Sequence, residues 1–383
     1  MCRIFCRKLQ GPCLILLLVL SRVVPALAGE AAAAARAAAL APAEYRSDVA
    51  KALAAAENNQ PELFAAIQAV RPEHREGMAF LVAYMPPCDL KTLKKDFLIQ
   101  NVEYAYKAVG EVPWGKDIPH ELFLNDVLPY ANVNERRDNW RKDFYERFMP
   151  VARQCKTAGE ATLRLNKHVF ETLKVKYHAT KRPKPNQSPY ESIEAGWASC
   201  TGLSILLIDA CRAVGVPARF VGTPQWTSTP GNHSWVEVWD RQWRFAGAAE
   251  TDALDKAGFV EVARKADAAS PEHSIYAVSF RPIGVAMPLV WAPDVKWVHA
   301  QNVTPFYTVR RRVIFLLPGN GDLTLRLGGS IVARVSGGKE AALDLAAGET
   351  YSAEVRLRGK KVFTKSVSLS GAEGQTVVVR LDE

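Results

Sequence analysis

Cys200 and His233 are the residues of this chain whose type and setting could carry chemistry. Cys200 opens the run 200–214, in which Leu203, Leu206, Leu207, Ala210 and Val214 recur at helical spacing. Ser199 is the predicted N-cap, and Gly215 followed by Pro217 is a helix stop. A thiol at a helix start meets unpaired N–H groups and the positive end of the helix dipole. Both favour the thiolate, the nucleophilic form. His233 opens the alternating run Ser234-Trp235-Val236-Glu237-Val238-Trp239, which reads as a strand. An imidazole beside a thiol can take its proton and prepare it for attack on an amide or ester carbonyl. Cys211 lies mid-helix and is expected to be an inert packing residue. His74, His120, His168 and His178 fall in the helical half, and His273 and His299 have no comparable setting.

The elements that must position this pair change character along the chain. Residues 59–180 are predicted to be helical. Leu63, Ile67 and Val70 share one face, Trp140, Phe144, Phe148 and Val151 form a second stripe, and Leu163–Val175 leads toward the cysteine. Arg136, Arg137, Arg141 and Lys142 with Glu135 and Asp138 read as a solvated, salt-bridged face. Lys181–Pro189 holds three prolines among cations and is expected to be an exposed extended connection. After the cysteine helix the period becomes two. Ala218–Gly222, Ser234–Trp239 and Trp243–Phe245 are predicted strands, the last two forming a hairpin. From 307 to 383, seven short alternating runs separated by turns such as Gly319-Asn320-Gly321 and Gly337-Gly338 predict an all-β sandwich. The fold class is therefore α+β, with a core at 181–306 between the helical region and the sandwich.

The N-terminus reads as an address. Arg3, Arg7 and Lys8 precede the apolar run Cys13–Leu20, and Ala26-Leu27-Ala28 is a small-x-small cleavage pattern. A signal peptide over 1–28, cut after Ala28, implies a secreted or periplasmic protein with no stable membrane span after cleavage. Residues 29–58 are an alanine-rich spacer and helix start. Without the signal peptide the chain holds 45 basic and 40 acidic residues, a net +5 against +9 for all 383 residues. That mild excess gives no support for nucleic-acid binding. Four cysteines then remain, too few for a disulfide framework, although export permits a Cys88–Cys155 bridge. No cysteine–histidine cluster has zinc spacing and no calcium-loop motif appears, so no cofactor or metal is expected.

Three linked motifs carry a resemblance. Gly196-Trp197-Ala198-Ser199-Cys200-Thr201-Gly202, then Cys211-Arg212-Ala213-Val214-Gly215-Val216-Pro217-Ala218-Arg219, then His233-Ser234-Trp235-Val236-Glu237-Val238-Trp239 match the transglutaminase-like superfamily in order and spacing. The match covers about residues 160–255. The resemblance implies a papain-like fold, with Cys200 as nucleophile and His233 as base. Exported bacterial proteins of this type often carry accessory β domains, but the resemblance says nothing of 307–383. One departure stands out. The family has an aspartate four residues after a tryptophan, and here Trp243 leads to Gly247. The third member normally fixes the histidine tautomer and stabilises its charged form. Glu250 is the chosen substitute, and Asp252 is the second.

The remaining roles stay open. The backbone N–H of Cys200 is the default oxyanion donor, with Asn186, Gln187 and Trp197 as candidate side-chain additions. Trp226, Trp235 and Trp239 could wall an acyl slot, although Trp235 also suits the core and Trp239 a sheet edge. The expected partner is a protein or peptide substrate. A thioester resolved by water gives a protease, amidase or deamidase; one resolved by a lysine amine gives crosslinking. Hydrolysis is favoured because no calcium motif is present. A papain-like module kept for binding is the rival, and Gly247 is its best argument.

Overall fold

The computed structural model describes residues 39–250, 252–358, 362–370 and 376–382. The expected signal peptide lies outside them. The chain forms two compact units, one up to Ile99 and one from Gln100 onward. In the first, the helices Arg46–Ala55, Gln60–Ala69 and Arg75–Tyr84 bury Val49, Leu53, Leu63, Ile67, Phe80 and Leu81. Tyr45 packs edge-on against Phe80 and Tyr84. Among the described residues no helix is long and apolar enough to cross a membrane.

The second unit is built on one long sheet. The strands are β1 (Lys176–Tyr177), β2 (Trp197–Ala198), β3 (Ala218–Thr223), β4 (His233–Asp240), β5 (Gln242–Ala246), β6 (Tyr276–Ser279), β7 (Val285–Ala286) and β8 (His299–Asn302). They continue as β9 (Arg310–Leu327), β10 (Ser330–Ala346), β11 (Thr350–Leu357), β12 (Val362–Ser368) and β13 (Val377–Arg380). β1 and β2 form a parallel pair of their own. The others run in the order β12-β11-β9-β10-β5-β4-β3-β6-β8-β7, with β13 on β9. The helices Arg141–Ala152, Ala158–Leu173 and Cys200–Ala213 share one core with Phe220 of β3 and Val236 and Val238 of β4. This is the α+β architecture with a helix packed on an antiparallel sheet.

Two expectations are corrected here. The first concerns the short β runs, because Gly319–Gly321 is not a turn. It continues β9, so that two predicted strands become one of 18 residues. Gly337-Gly338 likewise sits inside β10, where the register shifts as at a bulge. One half of the long β9–β10 hairpin meets β13 and the other meets β11. Val313, Phe315, Leu325, Tyr351 and Val355 form the core of this region.

The second concerns Arg141, which is not solvated but 1% exposed. Its guanidinium donates to Asn101 Oδ1 and to the carbonyls of Val127, Leu128, Pro129 and Arg212. The segment 127–133 is irregular, so its buried carbonyls lack ladder partners, and a five-donor guanidinium meets that need. Glu135 and Asp138 are buried too. Glu135 accepts the backbone N–H groups of Asn132 and Val133. Among the described residues no disulfide is formed, so the permitted Cys88–Cys155 bridge is absent.

Candidate active site

Cys200 stands at the first position of the buried helix Cys200–Ala213. Ser199 is extended, accepts the Gly202 N–H at 3.2 Å through Oγ, and donates to Pro185 O at 2.7 Å. The stop is equally local. Gly215 has φ +76°, and a side chain there would press at 3.1–3.2 Å on the backbone of Ala108 and Val109. At the other end, Thr201 Oγ1 and Ser234 Oγ meet at 3.0 Å and tie the start of the helix to the start of β4. The backbone N–H groups and hydroxyls of Ser234 and Thr201 surround the thiol and favour its thiolate. Burial outweighs them and pushes the Cys200 pKa above its ordinary value. The helix-start expectation of a lowered pKa is therefore corrected. The dipole effect is a surface-scale one, and here the thiol is largely withdrawn from water. Cys211, mid-helix and fully buried, is pushed up to about 12 by burial and packs as expected for an inert thiol.

His233 begins β4, whose side chains alternate between the two faces of the sheet. Ser234, Val236 and Val238 face the cysteine helix. His233 lies on the face of Trp235, its ring 5.9 Å from Trp226, 5.8 Å from Trp235 and 5.0 Å from Phe259. Burial alone lowers its pKa to about 4, so the imidazole is neutral at neutral pH. The thiol therefore lies against Ser234, while the imidazole of the preceding residue lies among Trp226, Trp235 and Phe259 on the other face of the strand. Among the described residues no hydrogen bond joins thiol and imidazole.

This shift has a consequence for stability. The unfolded chain binds a proton on this histidine near pH 6.5, but the folded chain does so only near pH 4. Stability is therefore complete above pH 6.5 and falls as the pH drops toward 4, by about 3 kcal/mol from this group. Denaturant titrations of wild type and His233→Asn at pH 7 and pH 4.5 are expected to differ in slope, with the variant less acid-sensitive. Equal acid sensitivity would remove His233 as the cause.

Glu250 follows β5 in a tight turn. Its N–H reaches Gly247 O at 3.2 Å, and Ala249 has φ +63°. Asn166, buried on the helix Ala158–Leu173, holds this turn from both ends. Its Nδ2 donates to Gly247 O at 2.9 Å, and its Oδ1 accepts the Ala249 N–H at 2.8 Å. The Glu250 side chain folds back over Gly247. A Cβ on Gly247 would run into Glu250 Oε2 and lie 3.0 Å from Glu250 Cβ and Cδ. The Glu250 carboxylate thus fills the room that a residue-247 side chain would take. Burial raises its pKa. Glu250 also borders a groove of about 810 Å³ with Asn166, Lys167, His168 and Asp252. Among the described residues no hydrogen bond joins Glu250 to His233.

The other candidates separate. Asn186 is committed to Asn134, and the Gln187 amide donates to the carbonyls of Glu191 and Trp197. The Cys200 N–H at the helix start remains as the candidate oxyanion donor. Trp226 and Trp235 stack at 5.9 Å beside His233, whereas Trp239 packs elsewhere with Trp243, Leu122 and Ile331. Four contributors were not singled out from the sequence: Thr201, Ser234, Asn166 and Tyr307. Tyr307 accepts from Trp235 Nε1 at 2.9 Å and donates to Glu237 at 2.6 Å, and Glu237 pairs with Arg219. That chain fixes Trp235, which supports the imidazole. Among the described residues no cluster of three His, Cys, Asp or Glu side chains could hold a metal ion.

One family model matches part of the chain, and two solved structures are similar at low identity. Residues 149–262 match the transglutaminase-like superfamily. No curated protein sequence matches the chain. Among solved structures, a putative cysteine protease from Cytophaga hutchinsonii is similar at 19% identity and TM-score 0.28, over 36% of this chain and 45% of that one. Red sea bream transglutaminase is similar at 11% identity and TM-score 0.28, over 72% and 60%. The chain thus spans 45% of the first of these chains and 60% of the second.

Proposed function

We propose, from the match of residues 149–262 to the transglutaminase-like superfamily, that the chain is an exported cysteine enzyme acting on amide or peptide bonds through a thioester. The observation that carries the proposal is the Cys200 thiol at the start of a buried helix, held against Ser234, with neutral His233 next in the strand. In this reading the His233 imidazole, at the very start of β4, turns to the thiol when substrate binds, and Cys200 Sγ attacks the carbonyl carbon as its proton passes to His233. The Cys200 N–H receives the developing oxyanion. The C–N bond breaks, and His233 returns the proton to the departing amine or ammonia. Water resolves the thioester, its proton passing again through His233. Export rests on the charged, apolar and small-residue pattern of residues 1–28.

The test is the identity of the product. A glutamine-containing peptide is incubated with the protein, with and without a biotinylated primary amine, and the products are weighed by mass spectrometry. Free acid or cleaved peptide is expected in both samples. Biotin incorporation would replace hydrolysis by crosslinking. The absence of any product and of an acyl adduct on Cys200, across a panel of peptides, would overturn the enzyme reading. A binding module with a papain-like fold would then be the better account, favoured by Gly247 and by the lack of direct hydrogen bonds among Cys200, His233 and Glu250.

A further inference from the structure

Between Glu171 and Glu191 the chain carries Lys174, Lys176, Lys181, Arg182 and Lys184 without a single carboxylate. This stretch is wound around the residues that lead into Cys200. Lys176 N–H donates to Gly196 O at 3.1 Å and His178 N–H to Ala198 O at 2.9 Å. Farther on, Pro185 O receives the Ser199 hydroxyl. The intervening turn is fixed. His178 Nδ1 accepts the N–H groups of Thr180 and Lys181, and Arg182 Nε donates to Ala179 O. Lys181 lies over the Trp197 ring at 5.0 Å. The cations are therefore held on a defined strap beside the helix start.

Their pairing distinguishes them from an ordinary charged surface. On the neighbouring helices Arg147 pairs with Asp143, Arg153 with Glu111 and Arg164 with Glu160. On the strap, Lys184 pairs with Glu191 at 2.8 Å. Among the described residues, Lys174, Lys176, Lys181 and Arg182 have no carboxylate partner. Tyr177 stands among them, 59% exposed. Four unneutralised cations within a few residues keep a positive field over about 8 Å at physiological salt. An exposed aromatic among them suits a polypeptide contact.

Resting on the acyl-transfer reading of Cys200, we propose that this strap docks an acidic segment of the protein substrate. Aspartate and glutamate side chains flanking the reacting residue meet Lys174, Lys176, Lys181 and Arg182, and an apolar neighbour packs on Tyr177. The strap thus selects acidic over basic sequence contexts and does not touch the reacting carbonyl. A polypeptide is favoured over another polyanion because the chemistry beside the strap acts on amides.

Binding separates this proposal from the catalytic one. Full-length Cys200→Ala protein is titrated with fluorescein-labelled glutamine peptides flanked by glutamate or by serine, and anisotropy is read. The glutamate peptide is expected to bind about tenfold tighter at low salt and to lose that advantage at high salt. Replacing Lys174, Lys176 and Lys181 by glutamine should abolish the preference, as should Lys176→Glu alone in direction. In the active protein these changes should raise KM for the glutamate peptide and leave kcat for the serine peptide unchanged. Equal affinity for the two peptides overturns the strap whatever the activity. Tighter binding of single-stranded DNA of matched charge also overturns it, in favour of a nucleic-acid surface. Selective binding without turnover in wild type keeps the strap and rejects the enzyme.

Discussion

Alanine at Cys200 and alanine at His233 are each expected to lower kcat/KM by about 10,000-fold or more, and the double variant no further. The non-additivity is the informative part. In the proposed reaction the imidazole acts only through the thiol, so once either is gone the other has nothing left to do. The resting state sharpens the expectation. Burial raises the Cys200 pKa and lowers that of His233 to about 4, so both groups are neutral at neutral pH. The proton must therefore move during attack and not before it. Alkylation of resting Cys200 by iodoacetamide should accordingly be slow at pH 6 and rise steeply above neutrality, whereas turnover stays high near pH 7. A fully active Cys200→Ala protein would reject the nucleophile. A double variant worse than both singles by another large factor would reject the coupling. Both alanine variants should remain folded, since Thr201–Ser234 and the Ser199 cap hold the helix start without the thiol.

How much of this could be read from sequence depends on the range of the forces involved. The start and stop of the cysteine helix are local, and Ser199, Gly215 and Pro217 announce them. The alternation of β4 and its return in β5 are local too. Which face of β4 meets the helix is not local. One side of the pattern carries Ser234, Val236 and Val238 and the other His233, Trp235 and Glu237, each with a bulky apolar residue, and only packing shows that Ser234, Val236 and Val238 meet the cysteine helix. The direction of the Cys200 pKa fails for the same reason. A helix start can be named from sequence, but the depth of its burial cannot. Arg141 looked like its charged neighbours because the carbonyls it serves belong to distant segments. Gly319–Gly321 and Gly337-Gly338 have turn composition, yet long neighbouring strands carry the ladder through them. Asn166 could not be singled out, since its partners are backbone atoms 81 and 83 residues away.

Replacing Glu250 is the second decisive experiment. The resemblance places an aspartate at 247, the chain has glycine there, and the Glu250 carboxylate lies over that glycine. If this carboxylate steadies the imidazolium that forms as Cys200 attacks, Glu250→Gln should lower kcat by about 100-fold to 10,000-fold with little change in KM. Glu250→Ala should do the same. Because the site then has room, adding Gly247→Asp to Glu250→Ala is expected to recover most of the lost kcat. Gly247→Asp alone should not raise kcat above wild type, since its side chain runs into Glu250 Oε2, the mobile end of a side chain that must swing aside. The pair of variants also separates positioning from structure. Loss of the Asn166-clamped turn would depress activity in the double variant as well, whereas a carboxylate role is rescued by moving the carboxylate three residues upstream. Burial raises the Glu250 pKa, so its ionised form is lost first as the pH falls. The acid limb of kcat should therefore move when aspartate at 247 takes over from Glu250. Unchanged kcat in Glu250→Ala would exclude this residue, and Asp252, on the same groove, would be the next carboxylate to replace.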